Sequence, residues 1–207
     1  PFKHIMLNTN GIRIAKDKEF AEKLATYMPD FEIYLQFDSF KPEALETLRG
    51  KDLTDIRIKA LEHLNELNLS TTLVVTLQKG LNDDEIGKII EYALKQPCIR
   101  GVTFQPIQVA GRNEHFNAQT DRLTLTDVRT EILKQTSILN ENDIIPVPCN
   151  PDALAMAYAL KLGNQVLPMT RFIDPKMLLN NESKNTIVYE QDKGLHEQLI
   201  NIFSTGI

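Results

Sequence analysis

Four stretches of the chain alternate apolar and polar residues with a period of two, and apolar stripes at helical spacing separate them. In residues 3–10, His4, Met6, Asn8 and Asn10 share one face of a strand and Ile5 and Leu7 the other. Residues 31–40, FEIYLQFDSF, set Ile33, Leu35 and Phe37 against Glu32, Tyr34, Gln36 and Asp38. Residues 71–77, TTLVVTL, form a third strand. Residues 100–106 form a fourth, with Thr103 and Gln105 on one face and Val102 and Phe104 on the other. Between the strands the period becomes helical. Phe20, Leu24, Tyr27 and Met28 stripe a helix over 17–28, and a short helix over 42–49 stops at Gly50. A longer helix over 54–67 turns Ile56, Ala60, Leu61, Leu64 and Leu67 inward. Asn82 and Glu85 read as a capping box that opens a helix with Ile86, Ile89, Ile90, Ala93 and Leu94 on one face, and Pro97 closes it.

Strands alternating with helices imply a parallel sheet with right-handed crossovers. In a flat doubly wound sheet the strands are buried on both faces and read as continuous apolar runs. These strands keep one polar face, and no glycine-rich phosphate loop follows any of them. Their polar residues gather at the C-terminal ends: Asn8, Thr9 and Asn10; Gln36, Asp38 and Ser39; Thr76, Gln78 and Lys79; Gln105 and Gln108. That is the active face of a (β/α) barrel. Four strands cannot close one, so the expected fold is α/β, an arc of a (β/α) barrel over residues 1–112.

Beyond Arg112 the pattern changes. Residues 113–122 read as a loop and 124–139 as a helix. Residues 143–149, DIIPVPC, read as extended, with prolines that exclude a central strand. Asn150, Pro151 and Asp152 have the chemistry of a helix start, which predicts a helix to Leu162, ended by Gly163. Residues 165–185 read as irregular and 193–203 as an amphipathic helix. Residues 113–207 are thus expected to be a mostly helical extension.

Composition narrows the function. The chain has 207 residues, a net charge of −5 and 42% hydrophobic residues, enough for a real core. The mild acidity argues against nucleic acid as the main partner. No apolar run approaches the ~20 residues that cross a bilayer. Two cysteines make no disulfide framework, so a reducing, cytoplasmic setting is expected. The first residue is Pro1 and a strand follows at once, which raises the expectation of a piece of a longer protein.

HIMLNTNGIRI, YLQFDSFKPEALETLRGKDL, TTLVVTLQKGLNDDEIGKIIEYAL and GVTFQPIQVAGR, in that order, resemble the second half of a radical S-adenosylmethionine (SAM) enzyme core. Within that superfamily the chain is most similar to proteins related to molybdenum-cofactor biosynthesis protein A, in the branch with tetraether-lipid synthase-like and pterin-methylating proteins. PVPCNPDA and LPMTRFID resemble that branch's C-terminal region. The resemblance implies S-adenosylmethionine and a [4Fe-4S] cluster as cofactors, and a 5′-deoxyadenosyl radical acting on a small-molecule substrate. The family's C-x-x-x-C-x-x-C loop and its Gly-Gly-Glu-Pro segment are absent from the chain. Cys98 and Cys149 do not replace a three-thiolate site. This chain alone is therefore expected to be inactive.

The resemblance also implies roles for particular residues. Asp38, with Ser39 beside it, maps onto the strand end that meets the cofactor ribose; capping the next helix is the plainer role for the pair. Thr76, Lys79 and Asn82 map onto the part that lines the sugar and the methionine. For Asn82 the helix cap, and for Thr76 strand formation, are the structural alternatives. Residues 103–107, with Gln105 among them, map onto the adenine site. Asn8 and Asn10 would point into the lumen. Cys149 lies just before the expected helix, whose dipole would favour a thiolate, and cysteines of this region hold extra iron in the similar branch. Cys98 reads as packing, and His4 and His63 as structural. Two other readings stay open: a barrel-like lyase or aldolase with Lys79 as nucleophile or Asp38 as base, and a non-catalytic interaction domain. An open arc exposes strand edges, so self-association is expected.

Overall fold

The computed structural model describes residues 2, 4–109, 116–163 and 165–175. They fall into two compact units, Pro1–Thr136 and Ser137–Ile207. The helix expected over 193–203 lies outside the described residues.

The first unit is built on a four-stranded parallel sheet. Its strands are β1 (Ile5–Thr9), β2 (Phe31–Gln36), β3 (Thr71–Leu77) and β4 (Ile99–Pro106), side by side in chain order. Helices α1 (Ile12–Lys16) and α2 (Lys18–Ala25) follow β1, and α3 (Pro42–Arg49) and α4 (Thr54–Glu66) follow β2. Helix α5 (Ile86–Lys95) follows β3, and α6 (Leu125–Gln135) packs beside it. The expected α/β arc is the observed one. Helix α6 lies in the same unit as the sheet, where Gly87 N donates to Gln135 Oε1 at 3.0 Å. A Cβ on Gly87 would lie 2.3 Å from the Gln135 carbonyl oxygen, so only glycine allows that approach.

Alternation places Ile33, Leu35, Phe37, Leu73, Val75 and Leu77 on the helix side of the sheet. There they form one core with Ile14, Leu24, Leu61, Leu64, Ile86 and Ile89. Gly11, at φ +79, turns the chain from β1 into α1 against Leu35, where an added Cβ would meet Leu35 Cδ1 at 2.8 Å. Cys98 is buried in this core, as its neighbours in sequence predict, and burial pushes its thiol up to about 11.

The opposite face keeps the polar residues in register. Asn8 lies beside Tyr34, Tyr34 beside Thr72, and Thr72 beside Gly101. Gln36, Val74 and Thr103 form the next row, and Thr76 and Gln105 the one nearest the C-terminal ends. Strand β4 keeps this register only through an irregularity between Thr71 and Thr72, which skips Arg100.

The second unit departs from expectation. Between Ser137 and Asp174 its described residues form short strands and 3-10 turns: β5 (Ile145–Pro146) with β6 (Ala155–Met156), and β7 (Ala159–Leu162) with β8 (Gln165–Pro168). The helix expected over 150–162 does not form. Asn150 does start one turn, since Leu154 N donates to its carbonyl at 2.9 Å, but Val147 N then takes the Leu154 carbonyl into a strand pair. The physical reason is in the residues. Leu154, Met156, Tyr158, Leu160 and Leu162 occupy every second position, which suits a pleat. Gly163, at φ +59, then begins the turn that pairs Leu162 with Gln165.

Candidate functional site at the carboxyl rim of the sheet

Strand β2 ends at Gln36, earlier than its sequence pattern predicts, and the chain turns at Asp38 with φ +63. That conformation is uncommon outside glycine, though aspartate tolerates it better than most residues. The turn takes Asp38 out of the alternation that would have set it inward with Tyr34 and Gln36.

The Asp38 carboxylate, fully buried, receives four hydrogen bonds. Arg49 Nε and Nη2 bind it as a fork at 2.9 and 2.8 Å. Arg57 Nη2 adds a bond at 2.8 Å and the Thr76 backbone N–H one at 3.1 Å. A carboxylate has about four acceptor positions, so none is left for two ribose hydroxyls. Asp38 therefore holds the rim together, and the expected ribose contact does not fit its geometry. Arg57 lies on the inner stripe of α4 with Ala60, Leu61 and Leu64, and its Nε donates to the Gln36 carbonyl at 2.8 Å. Burial holds its guanidinium below the ordinary arginine range, opposed by the nearby Asp38 charge. The hydrogen bond to Asp38 raises that of Arg49. Neither arginine is marked as a site residue by strand or motif position. The signal for Arg57 was a charge on an otherwise apolar helical stripe, which requires a buried partner.

Ser39 is equally committed. Its hydroxyl donates to Glu85 and accepts from the Lys41 N–H at 3.0 Å. Lys41 Nζ reaches Asp84 Oδ1 at 2.6 Å and the Leu81 carbonyl at 3.2 Å. Asn82 corrects the capping box: its side chain makes no cap bond to the turn Asp83–Glu85. It donates instead to the Asp38 carbonyl at 2.9 Å and the Thr76 carbonyl at 2.8 Å, and accepts from Gln78 N–H at 2.9 Å. Three backbone partners at the ends of two strands outcompete one helix terminus.

Thr76 lies at the same rim, and its hydroxyl accepts from Arg49 Nη2 at 2.7 Å. Gln105 is its register neighbour and is exposed. Asn8 is exposed on the same face, lower in the sheet. Asn10 is also exposed, but its side-chain oxygen accepts from Ile12 N–H at 3.1 Å and so serves the start of α1. Lys79 is exposed on the turn after β3, where it lowers the Asp121 and Asp127 carboxyl groups, though less than their own hydrogen bonds do. Burial, which activates a nucleophilic lysine, is missing there.

At the other end of the sheet Glu32 is buried on the polar face. It accepts from Thr72 Oγ1 at 2.6 Å, and His4 Nε2 lies 3.5 Å from its second oxygen.

The residues do not fit an iron–sulfur cluster. Cys98 is buried in the first unit and Cys149 exposed in the second, and two thiols fall short of three. Among the described residues no three His, Cys, Asp or Glu side chains converge. Cys149 also loses the rationale the sequence offered for it, because the helix whose dipole would favour its thiolate is a single turn followed by strand. Among the described residues no helix is long and apolar enough to cross a membrane.

Residues 1–93 match the family model of the radical SAM superfamily. The chain is 36% identical over 150 residues to a 7,8-dihydro-6-hydroxymethylpterin dimethyltransferase of Methanocaldococcus jannaschii, which covers 71% of this chain and 29% of that protein. It is 32% identical over 95 residues to a probable GTP 3′,8-cyclase of Thermococcus kodakarensis, covering 46% and 30% of the two chains. It is 30% identical over 108 residues to the GTP 3′,8-cyclase of Nautilia profundicola, covering 52% and 31%. The aligned parts thus span less than a third of each relative's length.

Proposed function

We propose that this chain, which carries a radical SAM domain over residues 1–93 and so belongs to an enzyme family, supplies four strands of the barrel of a longer, cytoplasmic radical SAM enzyme. Its polar sheet face would hold S-adenosylmethionine. The observation that supports this reading is the registered polar row that ends at the C-terminal rim, where (β/α) barrels bind ligands. Thr76, Gln105 and Gln36 offer hydroxyl and amide groups of the kind that a nucleoside sugar and an amino acid require, with Asn8 and Asn10 beyond them and Lys79 at the margin. Asp38 and Ser39 act behind this row, as the groups that fix the strand ends. In the superfamily the bound cofactor supplies hydrogen-atom abstraction from a substrate. The cluster that starts that chemistry needs three thiolates and this chain has two cysteines, so no step of it is assigned to these residues.

Equilibrium binding of S-adenosylmethionine tests the reading. Saturable binding is expected, and Thr76→Val and Gln105→Ala should each weaken it about fivefold to tenfold, the usual loss for one hydrogen bond. Absence of saturable binding to the folded wild-type chain would overturn it. The same reading carries a second expectation. Among the described residues β1 is an edge strand with Ile5 and Met6 exposed, so two copies should associate there. A strictly monomeric species in sedimentation velocity would remove that part.

A further inference from the structure

The chain after β2 and the chain after β3 leave the sheet side by side, and the bonds that join them do not belong to any helix cap. We propose that Asn82 is a positioning residue: it locks the two strand ends into one rim element, so that Gln78 and Lys79 are held at a fixed place relative to Thr76. This rests on the cofactor reading above for its purpose, but not for its geometry.

Asn82 is fully buried, and all three hydrogen-bonding groups that point outward from its amide are engaged. Both N–H groups go to carbonyls, one on each strand end, and the oxygen takes the Gln78 N–H. This assignment is unambiguous, since a flipped amide would set its oxygen against two carbonyls. The partners are the carbonyls of Asp38 and Thr76. The Asp38 carboxylate in turn takes the Thr76 N–H, so the same two residues are tied twice. Ser39 to Glu85 closes a third link, buried as well. Lys41 adds an ion pair with Asp84 on the exposed side and a bond to the Leu81 carbonyl. Two buried links, one half-buried link and the two Lys41 partners nearer the surface thus join residues 38–41 to residues 76–85. Of these, only Asn82 bonds both strand ends and the following loop at once.

A side chain that served its own loop alone would need only the Gln78 bond. The two carbonyl bonds make the geometry of one strand end depend on the other. A ligand that touched Thr76 from one strand and Gln78 or Lys79 from the loop would then meet a preorganised site, with less ordering left to do on binding.

Amide hydrogen exchange followed by mass spectrometry tests the lock without any ligand. In Asn82→Ala the amides of residues 78–81 and those of residues 38–41 should both exchange about tenfold faster, while Leu73 and Val75 in mid-strand stay within about twofold. Faster exchange confined to residues 78–81 would overturn the proposal, because Asn82 would then serve only its own loop. Should Asn82→Ala fail to fold, Lys41→Met gives a second measurement in a folded protein. It removes the Lys41 bonds to Asp84 and to the Leu81 carbonyl, and both segments should keep wild-type protection because Asn82 still joins them. Loosening of both segments in Lys41→Met would place the lock in the ion pair and overturn the assignment. S-adenosylmethionine binding is read separately. Wild-type chain that binds none removes the cofactor reading and leaves the lock to be decided by exchange. If wild-type binds and Asn82→Ala binds equally well, the positioning role is overturned.

Discussion

One buried carboxylate lies near the start of β2 and another just past its end, and the two are held in opposite ways. Glu32, within the strand, keeps the alternation: it lies on the polar face and is bonded by a neighbouring threonine hydroxyl, with a histidine nearby. Asp38, just past the strand, breaks the alternation through a left-handed backbone and is bonded by two arginines and an amide. The first arrangement sets a carboxylate against a threonine hydroxyl and an imidazole on the polar face of the sheet. The second is a desolvated ion network, in which each charge depends on the others. The C-terminal rim is thus shaped by electrostatics from the helix layer, whereas the N-terminal end is shaped by register within the sheet.

The largest effect should come from the ion network. Arg57→Met leaves Asp38 with a lost partner in a buried site and should cost about 3–5 kcal/mol in urea unfolding. Adding Asp38→Asn should recover part of that loss. A shift below about 1 kcal/mol for the single variant would mean the network is solvated, and the contrast with Glu32 would collapse.

At the other end, register is the sensitive quantity. A Cβ on Gly101 would lie 2.9 Å from Thr72 Oγ1, and that oxygen is held by Glu32. Gly101→Ala should therefore cost about 1–3 kcal/mol, and much less in a Thr72→Ala background. Equal costs in both backgrounds would place the strain elsewhere.

Alkaline pH probes the core near that same end. The Cys98 thiol is raised by burial from its ordinary 9.0 to about 11. The protonated thiol is the form the fold favours, so its contribution is complete below about pH 9 and is lost as pH rises toward about 11. Between about pH 8 and pH 10 the wild-type chain should lose about 1 kcal/mol that Cys98→Ala does not lose. Parallel slopes for the two proteins would count against a buried thiol.

Glu32→Gln should cost under about 1 kcal/mol, because the amide oxygen still accepts from Thr72. If it matched Asp38→Asn in cost, the two ends would not differ in kind. Lys79→Ala should leave stability within about 0.5 kcal/mol, as expected for an exposed side chain on a turn.

Much of the arc was legible because strand and helix periods are local. Residues 71–77 and 42–49 are the observed strand and helix, and Gly50 ends the helix with φ +73 as its composition implies. The rim was less legible. Asp38 and Ser39 stand at the strand end by pattern alone, yet their roles depend on Arg49, Arg57 and Glu85, which are 11, 19 and 46 residues away. Asn82 and Glu85 have the spacing of a capping box, and spacing alone does not reveal that the Asp38 and Thr76 carbonyls lie within reach. Residues 150–162 show the same limit from the other side. Their helix-start chemistry and their period-two apolar pattern conflict, and the strand pairing available nearby decided between them.

The sequence by itself determined the parallel order of β1 to β4, which face of each strand is polar, and the family to which residues 1–93 are matched, because these rest on periodicity and motif order within short windows. The fold had to form before Asp38 became an ion-network anchor, Asn82 bridged two strand ends, and residues 155–156, 159–162 and 165–168 paired as strands. Each of these turns on which distant donor or acceptor comes within about 3 Å, and buried polar groups take whichever partner the fold brings to them.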